Sequence, residues 1–149
     1  MGGIMITATA HFSFSVSNME AALHFFCDQL GLKASPIADV AEENVRRIVG
    51  FPDASLRIAI VQIPNGQIEL IEYVQPEGKL VDSTTCNPGA AHIAFQVDNI
   101  QKLYEDLSRQ GIRFINPPTW GPGPDGTGTW GVSYLKGPDG LTVEVMEKK

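Results

Sequence analysis

The chain has 149 residues, 43% of them hydrophobic and 19% charged, a composition that packs a core rather than staying disordered. Its net charge of -6, with no basic cluster beyond Arg46-Arg47, argues against nucleic acid and anionic membrane surfaces as partners. No apolar run approaches about 18 residues, and the start, Met1-Gly2-Gly3-Ile4-Met5, lacks a signal-peptide pattern. Two cysteines, Cys27 and Cys86, are too few for a disulfide framework, so a reduced cytoplasmic compartment is expected.

The first element is a strand in which Phe12, Phe14 and Val16 alternate with His11, Ser13 and Ser15. Met19, Ala22, Leu23, Phe26 and Leu30 then recur at helical spacing. Ser17 with Glu20 reads as a capping box at the start of this helix, and Gly31 ends it. Ala38 to Asn44 reads as an excursion and Val45 to Val49 as a strand. Arg57 to Ile63 and Gln67 to Tyr73 form a hairpin around Asn65-Gly66. Residues 76 to 90 read as a linker.

After the linker the pattern returns. Ala91-His92-Ile93-Ala94-Phe95-Gln96-Val97-Asp98-Asn99 repeats the Ala, His, Phe, Val and Asn of residues 10 to 18 at an offset of 81, His92 against His11. Ile100, Leu103, Tyr104 and Leu107 make a second helix, with Asp98 and Gln101 as its capping signal and Gly111 as its stop. The loop from Asn116 to Trp130 is too long for a simple turn. It reads either as a lid closed by Trp120 or Trp130, or as a surface loop with a tryptophan packed down. Gly131 to Leu135 and Thr142 to Met146 pair around the turn at Gly137 to Gly140. Val143-Glu144-Val145-Met146-Glu147 matches Ile68-Glu69-Leu70-Ile71-Glu72 at an offset of 75, Glu144 against Glu69.

Each half therefore reads strand, helix, further strands. The expectation is an α+β fold of two βαβββ modules, about 6–75 and about 91–147, joined by the linker at about 76–90. Their helices lie outside a curved eight-stranded sheet. A half of about 60–70 residues is marginal alone, so residues 1–149 are read as one domain.

The alternation puts His11, Glu69, His92 and Glu144 on strand faces opposite the apolar residues. Taken singly, a strand histidine is usually a satisfied structural residue, and a glutamate between apolar neighbours faces solvent at an edge. Recurrence of both at equivalent positions points to a metal set. Two imidazoles and two carboxylates suit one divalent ion, with Zn, Ni, Co, Mn and Fe all chemically allowed. Ser13, Tyr73, Gln96, Trp130 and Met146 are candidate pocket residues around it. Cys27 reads as core, Cys86 as incidental, and His24 as surface or packing. Arg46 and Arg47 either meet an anionic substrate group or are simply solvated.

The stretch His11 to Leu32, the stretch Gly89 to Ile100 and the run Gly137-Pro138-Asp139-Gly140-Leu141-Thr142-Val143-Glu144 resemble the vicinal oxygen chelate superfamily. That is the glyoxalase, bleomycin-resistance and extradiol-dioxygenase group. The resemblance spans about residues 7 to 147 and places His11, Glu69, His92 and Glu144 on the family's four metal positions. It implies a metal-dependent lyase or isomerase acting on a small carbonyl substrate, either lactoylglutathione lyase-like or epimerase-like. Glu144 and Glu69 are then the proton-moving residues, Glu144 the essential base. A fourth ligand, Glu69, favours this branch over an Fe(II) extradiol-type dioxygenase. The other alternative is an antibiotic-binding resistance protein without turnover. The resemblance also implies a homodimer.

Overall fold

A computed structural model describes residues 3–123 and 125–149. Met1 and Gly2 of the amino-terminal stretch and Pro124 of the Gly- and Pro-rich loop lie outside the described residues. Two compact units are formed, Met1–Lys79 and Leu80–Lys149.

The first unit contains β1 (Phe12–Val16), α1 (Met19–Leu23), β2 (Lys33–Ala34), β3 (Ala38–Val40), α2 (Glu43–Val49), β4 (Ser55–Ile63) and β5 (Gly66–Gln75). Its sheet runs β1-β5-β4-β2, with β3 also paired to β4. β1 is parallel to β5, and β4 and β5 form the antiparallel hairpin expected around Asn65-Gly66. Asn65 takes φ 65°, the left-handed conformation such a tight turn demands. α1 continues as a π-helical turn over His24–Gln29. Met19, Ala22, Phe25 and Phe26 from this helix, with Ala59, Val61, Ile68 and Leu70 from the strands, are all buried. Phe12 belongs to the apolar side by alternation, yet it remains 54% exposed near the start of the edge strand.

The second unit repeats the plan with β6 (His92–Gln96), α3 (Ile100–Arg109), β7 (Arg113–Phe114), β8 (Thr119–Pro122), β9 (Thr129–Lys136) and β10 (Thr142–Lys148). Its sheet runs β6-β10-β9-β7, with β8 also paired to β9. β6 is parallel to β10, and β9 is antiparallel to it. Ile93, Ile100, Leu107, Leu135, Val143 and Val145 are buried between helix and sheet. This is the expected α+β fold. Among the described residues the strands form two five-stranded sheets in place of the single eight-stranded sheet expected, each a four-strand path supplemented by one short strand and neither closed on itself. Among the described residues no helix is long and apolar enough to cross a membrane.

Three local expectations are corrected. The helix caps sit one residue later than the Ser17 and Asp98 signals suggest. Asn18 Oδ1 accepts from the Ala21 amide at 2.8 Å, and Asn99 Oδ1 accepts from the Lys102 amide at 2.9 Å. The next orphan amide in each helix is satisfied from far along the chain. Met19 N donates to Glu72 Oε2 at 3.0 Å, and Ile100 N to Glu147 Oε2 at 2.9 Å. Both carboxylates come from the last strand of their own unit and stand where the positive end of the helix dipole favours them.

Val45 to Val49 is helical rather than a strand. Val45, Ile48 and Val49 share helical spacing, Glu43 opens the helix and Arg46-Arg47 close it, and Gly50 ends it at φ 79°. None of its residues is buried and Ile48 is 80% exposed, so no core selects a strand there.

The loop from Asn116 to Trp130 is largely a hairpin, with Trp120 opposite Gly131 and Gly121 opposite Trp130. A Cβ on Gly131 would stand 2.8 Å from the Trp120 ring, and one on Gly123 would stand 2.5 Å from Trp130. Both indoles thus lie against glycine backbone, which is packing rather than a free lid.

Candidate metal-binding and active site

In the first unit, the parallel register places Ser13 opposite Glu69. His11 is two residues before Ser13, so it shares that face. His11 Nε2 lies 3.6 Å from Glu69 Oε1, with the two side chains 40% and 23% exposed. On the other side of Glu69, β4 presents Ile60.

The second unit reproduces this register. Ala94 stands opposite Glu144, and His92 is two residues before Ala94. His92 Nε2 lies 3.0 Å from Glu144 Oε2, with the side chains 41% and 12% exposed. Here the β9 neighbour of Glu144 is Tyr134 instead of isoleucine. Its ring meets His92 edge-on, with centroids 5.4 Å apart. Burial, the Glu144 charge and a hydrogen bond to Glu144 push the Tyr134 hydroxyl above the usual phenol range. Tyr134 is the site residue that sequence reading missed. The signal was present in the Gly137–Gly140 turn, which fixes a hairpin register pairing 134 with 144.

The donor chemistry fits a divalent ion. Two ligands held on one ion at about 2.1 Å and roughly right-angled or tetrahedral to each other stand about 3.0–3.4 Å apart. The His92–Glu144 separation matches this, and the His11–Glu69 separation is a few tenths of an ångström wider. Among the described residues no third His, Cys, Asp or Glu joins either pair.

The candidate pocket residues are distributed around the two pairs. Ser13 is the direct partner of Glu69. Tyr73 lies four residues along β5 on the Glu69 side and meets Phe51 edge-on at 6.0 Å. Gln96 and Met146 oppose each other two residues beyond the Ala94–Glu144 pair. Trp130 opposes Lys148, whose Nζ stands 5.3 Å from the ring, and its buried Nε1 has no hydrogen-bond partner among the described residues. His24 is elsewhere, on the helix, with Nδ1 2.8 Å from Asp28. Cys27 is half-buried and Cys86 exposed, both as free thiols. Arg46 donates to the Ala54 carbonyl at 3.2 Å.

The family model described as Glyoxalase/Bleomycin resistance protein/Dioxygenase superfamily matches residues 8–145. The chain belongs to this superfamily. The superfamily match contains both His–Glu pairs and Tyr134. The lactoylglutathione lyase of Neisseria meningitidis serogroup A is 26% identical over 140 residues, covering 93% of this chain and 89% of its own. The mitochondrial methylmalonyl-CoA epimerase of Mus musculus is 24% identical over 108 residues, covering 71% of this chain and 54% of its own. A glyoxalase family protein from Bacillus cereus superposes with a TM-score of 0.82 at 21% identity, covering 99% of this chain and 98% of its own. At that identity the likeness establishes the superfamily fold, not the reaction.

Proposed function

We propose that this protein is a divalent-metal-dependent lyase or isomerase of the glyoxalase type, moving a proton alpha to a carbonyl in a small substrate. The observation that supports it most is the repeated register, which sets one imidazole beside one carboxylate on the same strand pair in both units. His11, Glu69, His92 and Glu144 are the proposed donors to one ion, which is zinc, nickel, cobalt, manganese or iron. When bound, such an ion supplies Lewis-acid stabilisation of the negative charge that grows on a carbonyl oxygen as its alpha proton departs.

The remaining work belongs to the chain. Glu144 takes the alpha proton and returns it to carbon, and Glu69 is the second carboxylate able to do so from the other unit. Tyr134 holds the Glu144 carboxylate in one orientation. His11 and His92 contribute Nε2 lone pairs and exchange no proton. Ser13, Tyr73, Gln96, Trp130 and Met146 supply walls. Two of the relatives carry names, lactoylglutathione lyase and methylmalonyl-CoA epimerase, that fit this class of substrate. A cytoplasmic homodimer completes the proposal.

The test begins with metal content, measured by mass spectrometry on protein purified without chelator. Turnover of a hemithioacetal, a malonyl-type thioester and a catechol follows. One ion per chain and isomerisation of a carbonyl substrate are expected. Glu144→Gln should keep much of the metal and lose turnover by roughly 10²–10⁴-fold, whereas His92→Ala should lose the metal. Full turnover by Glu144→Gln removes that residue from its role. Oxygen-dependent catechol cleavage by the parent protein replaces the proton-transfer mechanism altogether.

A further inference from the structure

We infer that Asn116 is a positioning residue for the proposed metal site: its side-chain amide clamps the backbone of Tyr134 and thereby sets the Tyr134 ring against His92 and Glu144. The roles of His92 and Glu144 rest on the proposed function, whereas the clamp rests on its own geometry.

β9 has a gap along the side away from β10. β7 ends with Phe114 opposite Leu135, and β8 begins with Thr119 opposite Val132. Ser133 and Tyr134 therefore have no strand residue opposite them on that side. Asn116 closes the gap with its side chain. Its Nδ2 donates to the Val132 carbonyl at 3.0 Å, and its Oδ1 accepts from the Tyr134 amide at 2.9 Å. The Ile115 amide donates to the Tyr134 carbonyl at 2.8 Å. The carbonyl of Asn116 in turn accepts from the Ser133 hydroxyl at 2.6 Å, and Ser133 is fully buried.

A residue in an antiparallel ladder points its N–H and its C=O to the same side. Both groups of Tyr134 point to Asn116 and Ile115, away from β10. Tyr134 and Glu144, directly opposed, are thus a non-hydrogen-bonded pair. In such a pair the Cα atoms stand about 4.5 Å apart and the side chains lie closest. The ladder to β10 leaves the Tyr134 backbone unbonded, and the clamp holds it instead. From that backbone the ring is aimed at His92, edge-on with centroids 5.4 Å apart. Groups around a metal must be held to about 0.5 Å if its ligands are to keep their places.

The first unit has the same clamp on the equivalent residue, made from a different side chain. There Ile60 stands opposite Glu69, as Tyr134 stands opposite Glu144. β2 ends opposite Val61 and β3 begins opposite Ile58, so Ile60 also lies in a gap. The Ser35 amide donates to the Ile60 carbonyl at 2.9 Å, and Ser35 Oγ accepts from the Ile60 amide at 3.0 Å. Ser35 follows directly on β2, as Ile115 follows directly on β7. In the second unit the side-chain half of the clamp has moved one residue on, to Asn116. What the units share is the residue clamped, the one that backs a proposed metal carboxylate. That shared placement ties the clamp to the carboxylates rather than to either edge loop.

The test compares the parent with Asn116→Ala, Thr119→Val and Asn116→Ala combined with Ile115→Ser. In metal-free protein carrying ¹³C-labelled Tyr and His, the nuclear Overhauser effect between the Tyr134 and His92 rings reports their contact. Titration with Co²⁺ alone, followed by its visible absorption, gives the metal affinity. Asn116→Ala should lose most of the ring contact and bind Co²⁺ about tenfold more weakly, the scale for a group that orients a ligand. Thr119→Val loosens the same loop by removing a hydroxyl that meets Asn116 Nδ2 at 3.4 Å and the Pro117 carbonyl at 2.9 Å, neither of them a Tyr134 atom. It should match the parent in both readouts. Ile115→Ser puts a hydroxyl at the position that Ser35 holds in the first unit, and Ile115 is 51% exposed, so its side chain can be spared. Added to Asn116→Ala, it should recover contact and affinity together. Should Asn116→Ala fail to fold, Asn116→Asp, of the same size, takes its place; it no longer donates to Val132 and should show the same two losses. Ring contact or Co²⁺ affinity unchanged in the Asn116 variant overturns the inference. So does an equal loss in Thr119→Val, which would make Asn116 part of the loop and nothing more. A parent that binds no Co²⁺ sinks the proposed metal function, and the ring contact then decides the clamp by itself.

Discussion

Replacing Tyr134 by phenylalanine removes one hydroxyl and leaves the ring edge against His92 in place. What is lost is the hydroxyl's polar interaction with the Glu144 carboxylate, the smallest of the three influences that raise its pKa. Hydrogen bonds to a charged group contribute about 1.5–3 kcal/mol. Tyr134 is only half-buried, and screening reduces this to ~1–1.5 kcal/mol. The pH dependence has a definite sign. The folded-state pKa of Tyr134 is raised above its ordinary value by burial, by the Glu144 charge and by the hydrogen bond itself. Its contribution is therefore complete below the ordinary phenol range near about 10 and is lost as pH rises through the higher folded value. Urea denaturation of parent and Tyr134→Phe in chelator, at pH 7.5 and at several points above pH 10, measures both effects. The variant should be less stable by ~1–1.5 kcal/mol at neutral pH, and the gap should close in alkali. Equal stability at every pH would refute the bond. A gap that widens in alkali would refute the sign. The same variant should bind metal about tenfold or more weakly, the usual scale for a group that orients a ligand.

Three further outcomes are expected. Gly131→Ala should destabilise by about 1–3 kcal/mol, because the new Cβ meets the Trp120 ring at 2.8 Å, and thermal unfolding followed by tryptophan fluorescence reads this directly. Glu147→Ala should cost about 1–2 kcal/mol by leaving the Ile100 amide without its acceptor, and that amide should exchange faster with deuterium than in the parent. Cys86 should alkylate first, whereas Cys27, whose thiol is pushed above its ordinary range by burial and then by Asp28, should react only at more alkaline pH. Mass mapping after a short iodoacetamide pulse at stepped pH distinguishes the two, and equal rates at neutral pH would contradict the buried setting of Cys27.

The His–Glu pattern was legible because strand alternation has a period of two. Once β1 and β6 are strands, the side occupied by His11 and His92 follows from the side occupied by Val16 and Ile93. Tyr134 was harder to see, since its relation to Glu144 appears only when the hairpin register is counted through the Gly137–Gly140 turn. The caps were ambiguous locally. Ser17, Asn18, Asp98 and Asn99 are all capping residues, and the choice depends on Glu72 and Glu147, which take the next amide from far along the chain. At α2 a seven-residue run fits either period, and the solvent exposure that selects the helix is not written in the run itself. The Gly and Pro content of residues 116–130 concealed β8, which exists because glycine gives two indoles room to lie flat.

The carboxylates that reach back to the helices also set an order of events during synthesis. α1 spans five residues before its π-helical extension and is far too short to persist alone in water. The acceptor for its first amide lies 53 residues downstream, and that for α3 lies 47 residues downstream. Neither helix can be sealed while the ribosome is still making the middle of its unit, so each unit should lock in a single late step when its final strand emerges. Nascent chains stalled so that Glu72 is still inside the exit tunnel are expected to leave the Met19 amide unprotected from exchange. Chains stalled after Gln75 has cleared the tunnel should protect it. Protection of that amide in the shorter chains would show that the helix does not wait for the strand.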